Sequence, residues 1–164
     1  MIVVSTEDFL WYVDQALDGM VTIVGGLGDE TASSRPDLAG ANSPYAILTH
    51  CLGVMEFWGG YAVAGRTIDR DREAEFLAEG HVADLMRLTA EARRQVEGDI
   101  ADLEALAPPR GSPEPGDEKD LPIWRTQGGV LLHILEELYQ HLGQMELSRD
   151  TLLAANSTGE ASDP

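Results

Sequence analysis

Four long segments of the chain carry apolar residues at three- and four-residue steps, and this pattern constrains the fold more than any other feature. Such spacing places the apolar side chains on one face of an α-helix. The segments run from Ser5 or Thr6 to about Val24, from Ser43-Pro44 to about Ala64, from about Glu79 to Leu106, and from Pro122 or Thr126 to Leu153. No segment shows the alternation of a half-buried strand. The sequence therefore predicts an all-α four-helix bundle.

Turn-forming residues separate the predicted helices. Gly25-Gly26 ends the first helix, and the polar segment from Leu27 to Asn42 is expected to be a loop. Pro44 follows the N-cap candidate Ser43 and starts the second helix, because the fixed φ of proline suits a first turn. Pro108-Pro109 ends the third helix. All three connections are ten or more residues long, so spacing alone leaves the order of up and down helices open.

Length and charge limit the classes of function. The 164 residues fit one domain, which we place at residues 1–153, with residues 154–164 expected to form a disordered tail. The net charge of -18 argues against nucleic acid or an anionic membrane as partner, because both need a positive surface. A single cysteine, Cys51, no secretory leader and no membrane-length apolar run predict a cytoplasmic protein.

The last predicted helix carries side chains that can bind a metal. Glu137 and His141 are four residues apart, which places them about 40° apart on one helix face. His50 lies between Ile47 and Val54 at helical spacing in the second helix, and it is the candidate third ligand. Two histidines and a glutamate form the ligand set of several catalytic zinc sites, which leave a coordination position open for water or substrate.

Simpler interpretations exist for these polar residues. His50, Glu137 and His141 could lie at the edge of the core and be satisfied by hydrogen bonds. We favour the metal site because glutamate is almost never buried without a partner. His133 offers a second i, i+4 pair with Glu137, or an outer-shell or solvent role. Gln144, one turn beyond His141, could bond a ligand or a metal-bound water, or it could be an exposed amide.

Three arginines, Arg66, Arg70 and Arg72, cluster after the second helix. They could hold the carboxylate of an anionic substrate or thiol. Ion pairing with the acidic residues between Asp69 and Glu75 is the plainer interpretation. Trp58 and Trp124 could line a pocket, although core packing is favoured for Trp58.

Two motifs resemble the DinB/YfiT-like metalloproteins: Leu48-Thr49-His50, and Glu137-Leu138-Tyr139-Gln140-His141-Leu142-Gly143-Gln144 in the last helix. Many members of that family have His-x-x-x-His in the last helix. The Glu-x-x-x-His of this chain is similar to the branch of the mycothiol-dependent maleylpyruvate isomerase N-terminal domain and related actinobacterial thiol S-transferases, which bind a divalent metal through His, Glu and His. The segment from Asp71 to Phe76 also resembles this branch. The resemblance spans roughly Thr6 to Leu153 and implies an up-down-down-up bundle, commonly homodimeric, with the metal near one end.

The resemblance implies a metal-dependent enzyme that uses a low-molecular-weight thiol, mycothiol, to attack an electrophilic small molecule. Zinc is the first candidate, and nickel, iron or manganese suit the same ligands. Maleylpyruvate isomerisation is not implied, because the chain lacks the second domain of the isomerase. Gln144 stands where mycothiol-type members often have a further histidine, which leaves the identity of the thiol open. The alternatives are a metal-hydroxide hydrolase and a non-catalytic metal-binding module for stress response or interaction.

Overall fold

Helices make up the regular structure of the chain in a computed structural model that describes residues 4–113 and 121–160. The α-helices are α1 (Thr6–Ser33), α2 (Pro44–Met55), α3 (Arg72–Glu75), α4 (Val82–Asp99) and α5 (Gln127–Glu160). A π-helix, Glu56–Ala64, continues α2 directly, and a short 3₁₀ helix, Pro122–Trp124, precedes α5. Neither of the two described ranges contains a strand. The predicted all-α bundle is confirmed, with α1, α2 and its π-helical extension, α4 and α5 as its four long helices.

Contacts between the helices establish the direction of each long helix. Contacts of Tyr12 with Tyr139 and of Gly19 with Leu142 show that α1 and α5 are parallel. The ion pair of Arg93 with Asp14 and the hydrogen bond from Val82 N–H to Asp29 show that α4 is antiparallel to α1. In α2 and α5, His50 meets His141 while Trp58 meets His133, so these helices are also antiparallel. The topology is therefore up-down-down-up, as the resemblance implied.

Serine residues cap the first two helices as their sequences predict. The Ser5 hydroxyl accepts the Asp8 N–H at 3.0 Å, and the Asp8 carboxylate accepts the Ser5 N–H in return, which completes a capping box. The Ser43 hydroxyl accepts the Ala46 N–H at 3.2 Å, and Pro44 occupies the first turn of α2. The Ser43 cap thus begins the helix whose buried residues include His50.

The first helix runs further than predicted. The glycine pair Gly25-Gly26 remains helical, and the kink falls at Gly28, where φ is 74° and ψ is 172°. The predicted loop from Leu27 was therefore wrong up to Ser33. Helical glycine costs only about 1 kcal/mol relative to alanine, and burial of Ala32 together with the Asp29 contacts to α4 favours the continuation.

The third long helix is shorter than the predicted Glu79–Leu106, and the last one is longer than predicted. Helix α4 ends at Asp99, and turns follow in which Ile100 stays 2% exposed. The side chain of Gln127 bonds Glu104 N–H and the Pro108 carbonyl, which ties these turns to the start of α5. Helix α5 continues through the beginning of the expected tail to Glu160, and residues 161–164 lie outside the described part of the chain.

The second helix is the most buried of the bundle. Its core side chains include Ile47, Leu48, Cys51 and Met55, each no more than 1% exposed. His50 belongs to the same buried face, with its side chain 2% exposed. A polar imidazole at that depth needs partners.

Among the described residues, no helix combines the length and apolarity required to cross a membrane.

The Glu56–Ala64 segment is π-helical, whereas the sequence predicted a continuous α-helix to about Ala64. The glycines at positions 59 and 60 allow neighbouring side chains to approach the backbone closely. A Cβ at Gly59 would lie 3.3 Å from Val96 of α4, and one at Gly60 would lie 2.8 Å from Cζ of Arg66. The segment ends at Gly65, which adopts the left-handed conformation with φ 75°. Single turns of π-helix often occur at functional sites, and this segment carries Trp58 toward α5.

Candidate metal centre

The antiparallel packing of α2 and α5 brings His50, Glu137 and His141 together. Oε2 of Glu137 lies 3.3 Å from Nε2 of His141 and 3.7 Å from Nε2 of His50. The two imidazole rings are 4.9 Å apart and nearly perpendicular, with an interplanar angle of 84°. One ligand atom from each of the three residues can be chosen so that all lie within 4.8 Å of one another. The residues predicted as ligands therefore converge on one point.

Each histidine uses its Nδ1 for a protein partner, which leaves Nε2 facing the point of convergence. Nδ1 of His50 lies 2.8 Å from Oε2 of Glu75, and Nδ1 of His141 lies 2.9 Å from Oε1 of Gln144. Arg70 Nη2 is also near His50 Nδ1, but at 3.4 Å. Because the Glu75 carboxylate only accepts hydrogen bonds and lies nearer than the guanidinium, the ring proton is on Nδ1 and points toward Glu75. Metal-binding histidines usually have such a partner on the second nitrogen.

Burial and charge act on these groups together. Contacts with His141 first, and then with His50, hold the pKa of Glu137 well below its usual range despite partial burial. Burial by itself lowers the pKa of His50, but the contacts with Glu137 and Glu75 outweigh it and raise that pKa overall. Burial raises the pKa of Glu75, and its bonds to His50 and Arg70 reverse the effect. The cluster thus favours a carboxylate at Glu137, which is the form that binds metal.

The donor set fits a divalent metal. Two imidazole nitrogens and a carboxylate oxygen are borderline ligands suited to zinc, nickel, iron or manganese. Glu137 has 27% of its side chain exposed and His141 18%, while His50 is closed off from solvent. The same contacts also satisfy the three side chains mutually, which is the hydrogen-bonded arrangement considered from the sequence. The hydrogen bonds of both Nδ1 atoms, to Glu75 and Gln144, favour the metal site, because metal-binding histidines usually have such a partner on the second nitrogen.

Comparisons with known proteins identify the family. A model of the DinB superfamily matches residues 12–145, which include all three converging residues. The chain belongs to the DinB superfamily. A search of curated proteins and a search of solved structures gave no match.

In this DinB protein a cleft of about 590 Å³ opens beside the converging residues. His50 and Glu137 line it, and so do Trp58 and Trp124, whose ring centres are 4.9 Å apart and which form one wall. Both tryptophans also pack against the core. The two interpretations made from the sequence, a pocket lining and core packing, therefore both apply. The volume lies within the range of small-molecule pockets.

His133 borders this cleft without joining the three converging residues. Its ring packs edge-on against Trp58 at 4.8 Å, and its Nδ1 lies 3.2 Å from Glu136. Nε2 lies 3.6 Å from Oε1 of Glu137, the oxygen other than the one that faces His50 and His141. The geometry therefore places His133 beside the DinB site, where it can contact a molecule in the cleft.

The three arginines of the predicted cluster separate in the structure. Arg70 and Arg72 line the cleft, whereas Arg66 bonds both carboxylate oxygens of Asp99 at 2.9 Å on another side of the bundle. Arg70 bonds both oxygens of Glu75 at 2.7 and 2.8 Å. Ion pairing with the acidic residues between Asp69 and Glu75, the plainer interpretation, thus holds for Arg70. Arg66 is ion-paired as well, but its partner Asp99 lies outside that segment. Arg72 is exposed and lies over the Phe76 ring at 5.3 Å.

Sequence reasoning missed the contact of Glu75 and Phe76 with His50. Glu75 was considered only as an ion-pair partner of the arginines. Phe76 stacks on the imidazole with ring centres 4.3 Å apart and an interplanar angle of 27°. The one available signal was the likeness of the Asp71–Phe76 segment to the DinB branch, since residues 25 positions apart have no pattern that pairs them.

Proposed function

We propose that this DinB protein is a metal-dependent thiol S-transferase, in which His50, Glu137 and His141 hold a divalent ion, with zinc as the first candidate. The observation that carries the proposal is the convergence of two Nε2 atoms on one carboxylate oxygen, with each Nδ1 already bonded. Family membership supports metal binding. The thiol part rests on the Glu-x-x-x-His motif and its likeness to thiol S-transferases, with mycothiol as the proposed thiol.

The reaction needs no nucleophile from the protein. A divalent ion in the site would supply Lewis acidity, which favours the thiolate form of a thiol at neutral pH. The thiol loses its proton, its sulfur lone pair forms the bond to an electrophilic carbon, and the leaving group departs with its bonding pair. Cys51 is unsuited to replace the external thiol, because burial raises the pKa of its own thiol.

Residues around the cleft have separate tasks in this proposal. Trp58 and Trp124 exclude water from one wall, and the positive charge of Arg72 at the rim attracts an anionic thiol or electrophile. His133 Nε2 borders the cleft and can accept the proton released by the thiol. Gln144 orients His141 through Nδ1. The same proposal places the protein in the cytoplasm, where low-molecular-weight thiols stay reduced.

The first experiment is the metal content of tag-free protein purified without chelators, measured by elemental mass spectrometry. We expect near-stoichiometric divalent metal in the unmodified protein and its loss in His50→Ala and His141→Ala with circular dichroism unchanged. His81→Ala is the matched control, because that imidazole is 78% exposed and pairs with Asp29 rather than with any of the three converging residues. No metal in the unmodified protein after incubation with zinc, nickel or iron would refute the proposal.

A second experiment separates the enzymatic alternatives. Mycothiol or a simpler thiol is added to the cobalt-loaded protein together with a reactive haloarene. The proposed activity predicts a thiol-dependent change in the cobalt spectrum and a thioether product detected by mass spectrometry. Product formed without thiol would favour a hydrolase, and binding without turnover would favour a non-catalytic module. The homodimer stays a prediction, which light scattering on the purified protein tests.

A further inference from the structure

Helix α3 is only four residues long, yet Glu75 at its end reaches the most deeply buried member of the metal centre. We infer that Glu75 is a positioning residue that sets the orientation and the protonated nitrogen of His50. The inference rests on the proposed metal-binding function and adds a residue outside the three converging side chains. Arg70 and Phe76 complete the arrangement.

The carboxylate of Glu75 has a partner on each oxygen. Oε2 accepts His50 Nδ1–H at 2.8 Å and Arg70 Nη2–H at 2.8 Å, while Oε1 accepts Arg70 Nε–H at 2.7 Å. The side chains of Glu75 and Arg70 are only 11% and 15% exposed. The two-point bond to the guanidinium therefore holds the carboxylate in one orientation, and the carboxylate in turn holds the imidazole.

This arrangement determines which nitrogen of His50 is free. A neutral imidazole carries one ring proton, and the hydrogen bond of one nitrogen decides where it lies. With the proton on Nδ1 toward Glu75, the lone pair of Nε2 points toward Glu137 and His141. Phe76, stacked on the ring at 4.3 Å, restricts rotation of the ring plane. The segment from Arg70 to Phe76 thus prepares His50 to donate to a metal.

The rival account is that Glu75 only neutralises the buried Arg70. The two accounts differ for glutamine at position 75. Glutamine keeps an oxygen that can accept His50 Nδ1–H, but it loses the charge that Arg70 needs. A positioning role therefore predicts partial rescue by glutamine relative to alanine, while a role limited to charge neutralisation predicts none.

The test measures zinc affinity by competition with a chromophoric chelator in the unmodified protein, Glu75→Ala, Glu75→Gln and Glu73→Ala. We expect Glu75→Ala to weaken zinc binding by about 10- to 100-fold, with Glu75→Gln between it and the unmodified protein. Glu73→Ala is the matched control, because Glu73 lies on the same short helix with its side chain exposed. Its affinity should equal that of the unmodified protein.

Alanine at position 75 leaves Arg70 without its carboxylate and can prevent folding. The same comparison is then made in an Arg70→Gln background, where Glu75→Ala leaves no guanidinium without its carboxylate. Equal affinities of Glu75→Ala and the unmodified protein would overturn the inference, and so would equally weak binding by Glu75→Ala and Glu75→Gln. Absence of zinc binding by the unmodified protein would overturn the proposed function, and this inference with it.

Discussion

His141 Nδ1 lies 2.9 Å from Oε1 of Gln144, so the amide one turn along α5 holds the outer histidine in place. Replacing Gln144 with alanine frees the ring to rotate, and we expect zinc affinity to fall by about tenfold or more. Titration with a competing chelator measures the change. Gln140→Ala is the control, since Gln140 is exposed on the same helix and bonds Glu136. Equal losses in both variants would assign the effect to α5 stability.

Gly53 leaves the space that Glu75 occupies. A Cβ at this position would lie 2.6 Å from Cδ of Glu75, whose carboxylate is held by Arg70 and His50. Alanine normally stabilises a helix interior by about 1 kcal/mol relative to glycine. We predict the opposite for Gly53→Ala: a lower free energy of unfolding and roughly tenfold weaker zinc binding, as expected when an outer-shell partner moves.

Chemical denaturation and zinc titration check the Gly53 prediction. Gly26→Ala in α1 is its control, because a Cβ there meets nothing within 4 Å. That variant should gain stability by up to about 1 kcal/mol and keep its zinc affinity. A stabilised Gly53→Ala with unchanged zinc affinity would contradict the prediction.

Asp29 and His81 join the end of α1 to the start of α4, and their ion pair predicts a pH-dependent stability. The Asp29 carboxylate accepts His81 Nδ1–H and Val82 N–H, each at 2.8 Å. The His81 contact, and then the Val82 bond, lower the pKa of Asp29, while Asp29 and to a lesser extent Asp84 raise the pKa of His81.

The sign follows from the two directions. The His81 contribution is complete below its unfolded pKa of about 6.5 and is lost as the pH rises through the raised folded value. The Asp29 contribution is complete above about 3.9 and is lost as the pH falls through the lowered folded value. The difference in melting temperature between the unmodified protein and His81→Gln should therefore be largest near pH 5 and small above about pH 8. A difference that stays constant between pH 5 and pH 9 would count against the pair.

Arg66 is predicted to support the fold without serving the site. Its guanidinium holds Asp99, whose side chain is only 4% exposed, and Gln95 is the other side-chain donor to that carboxylate. Arg66→Ala leaves Asp99 short of partners, and we expect a loss of about 2 kcal/mol in the free energy of unfolding, with zinc affinity unchanged. Arg72→Ala, at an exposed position, should change stability by less than about 1 kcal/mol. Equal destabilisation by the two variants would contradict the assignment.

Local signals in the sequence predicted the helices and the facing ligands. Ser43-Pro44 marked the start of α2, and the four-residue spacing of Glu137 and His141 placed both on one face of α5. His50 could be selected because its neighbours Ile47 and Val54 marked a buried face. Each of these signals lies within a few residues of the feature that it predicts. Over such short distances, helix geometry determines which way the side chain at each position faces.

Features that depend on distant contacts were missed. Glu75 pairs with His50 across 25 positions, and only the folded connection between α2 and α4 brings them together. The continuation of α1 past Gly25-Gly26 follows from packing against α4, which outweighs the weak helix preference of glycine. The division of the arginines also depends on tertiary structure, because Asp99 reaches Arg66 from 33 positions away.

The π-helical segment Glu56–Ala64 gives the second helix a region from which one residue can be removed while the chain on both sides keeps its packing. Each i→i+5 bond encloses one residue more than the i→i+4 bond of an α-helix. Removing one residue inside this segment can therefore convert a π-turn to an α-turn while His50 keeps its place. A deletion between His50 and Met55 would instead rotate every following side chain by about 100° and carry Trp58 away from the cleft.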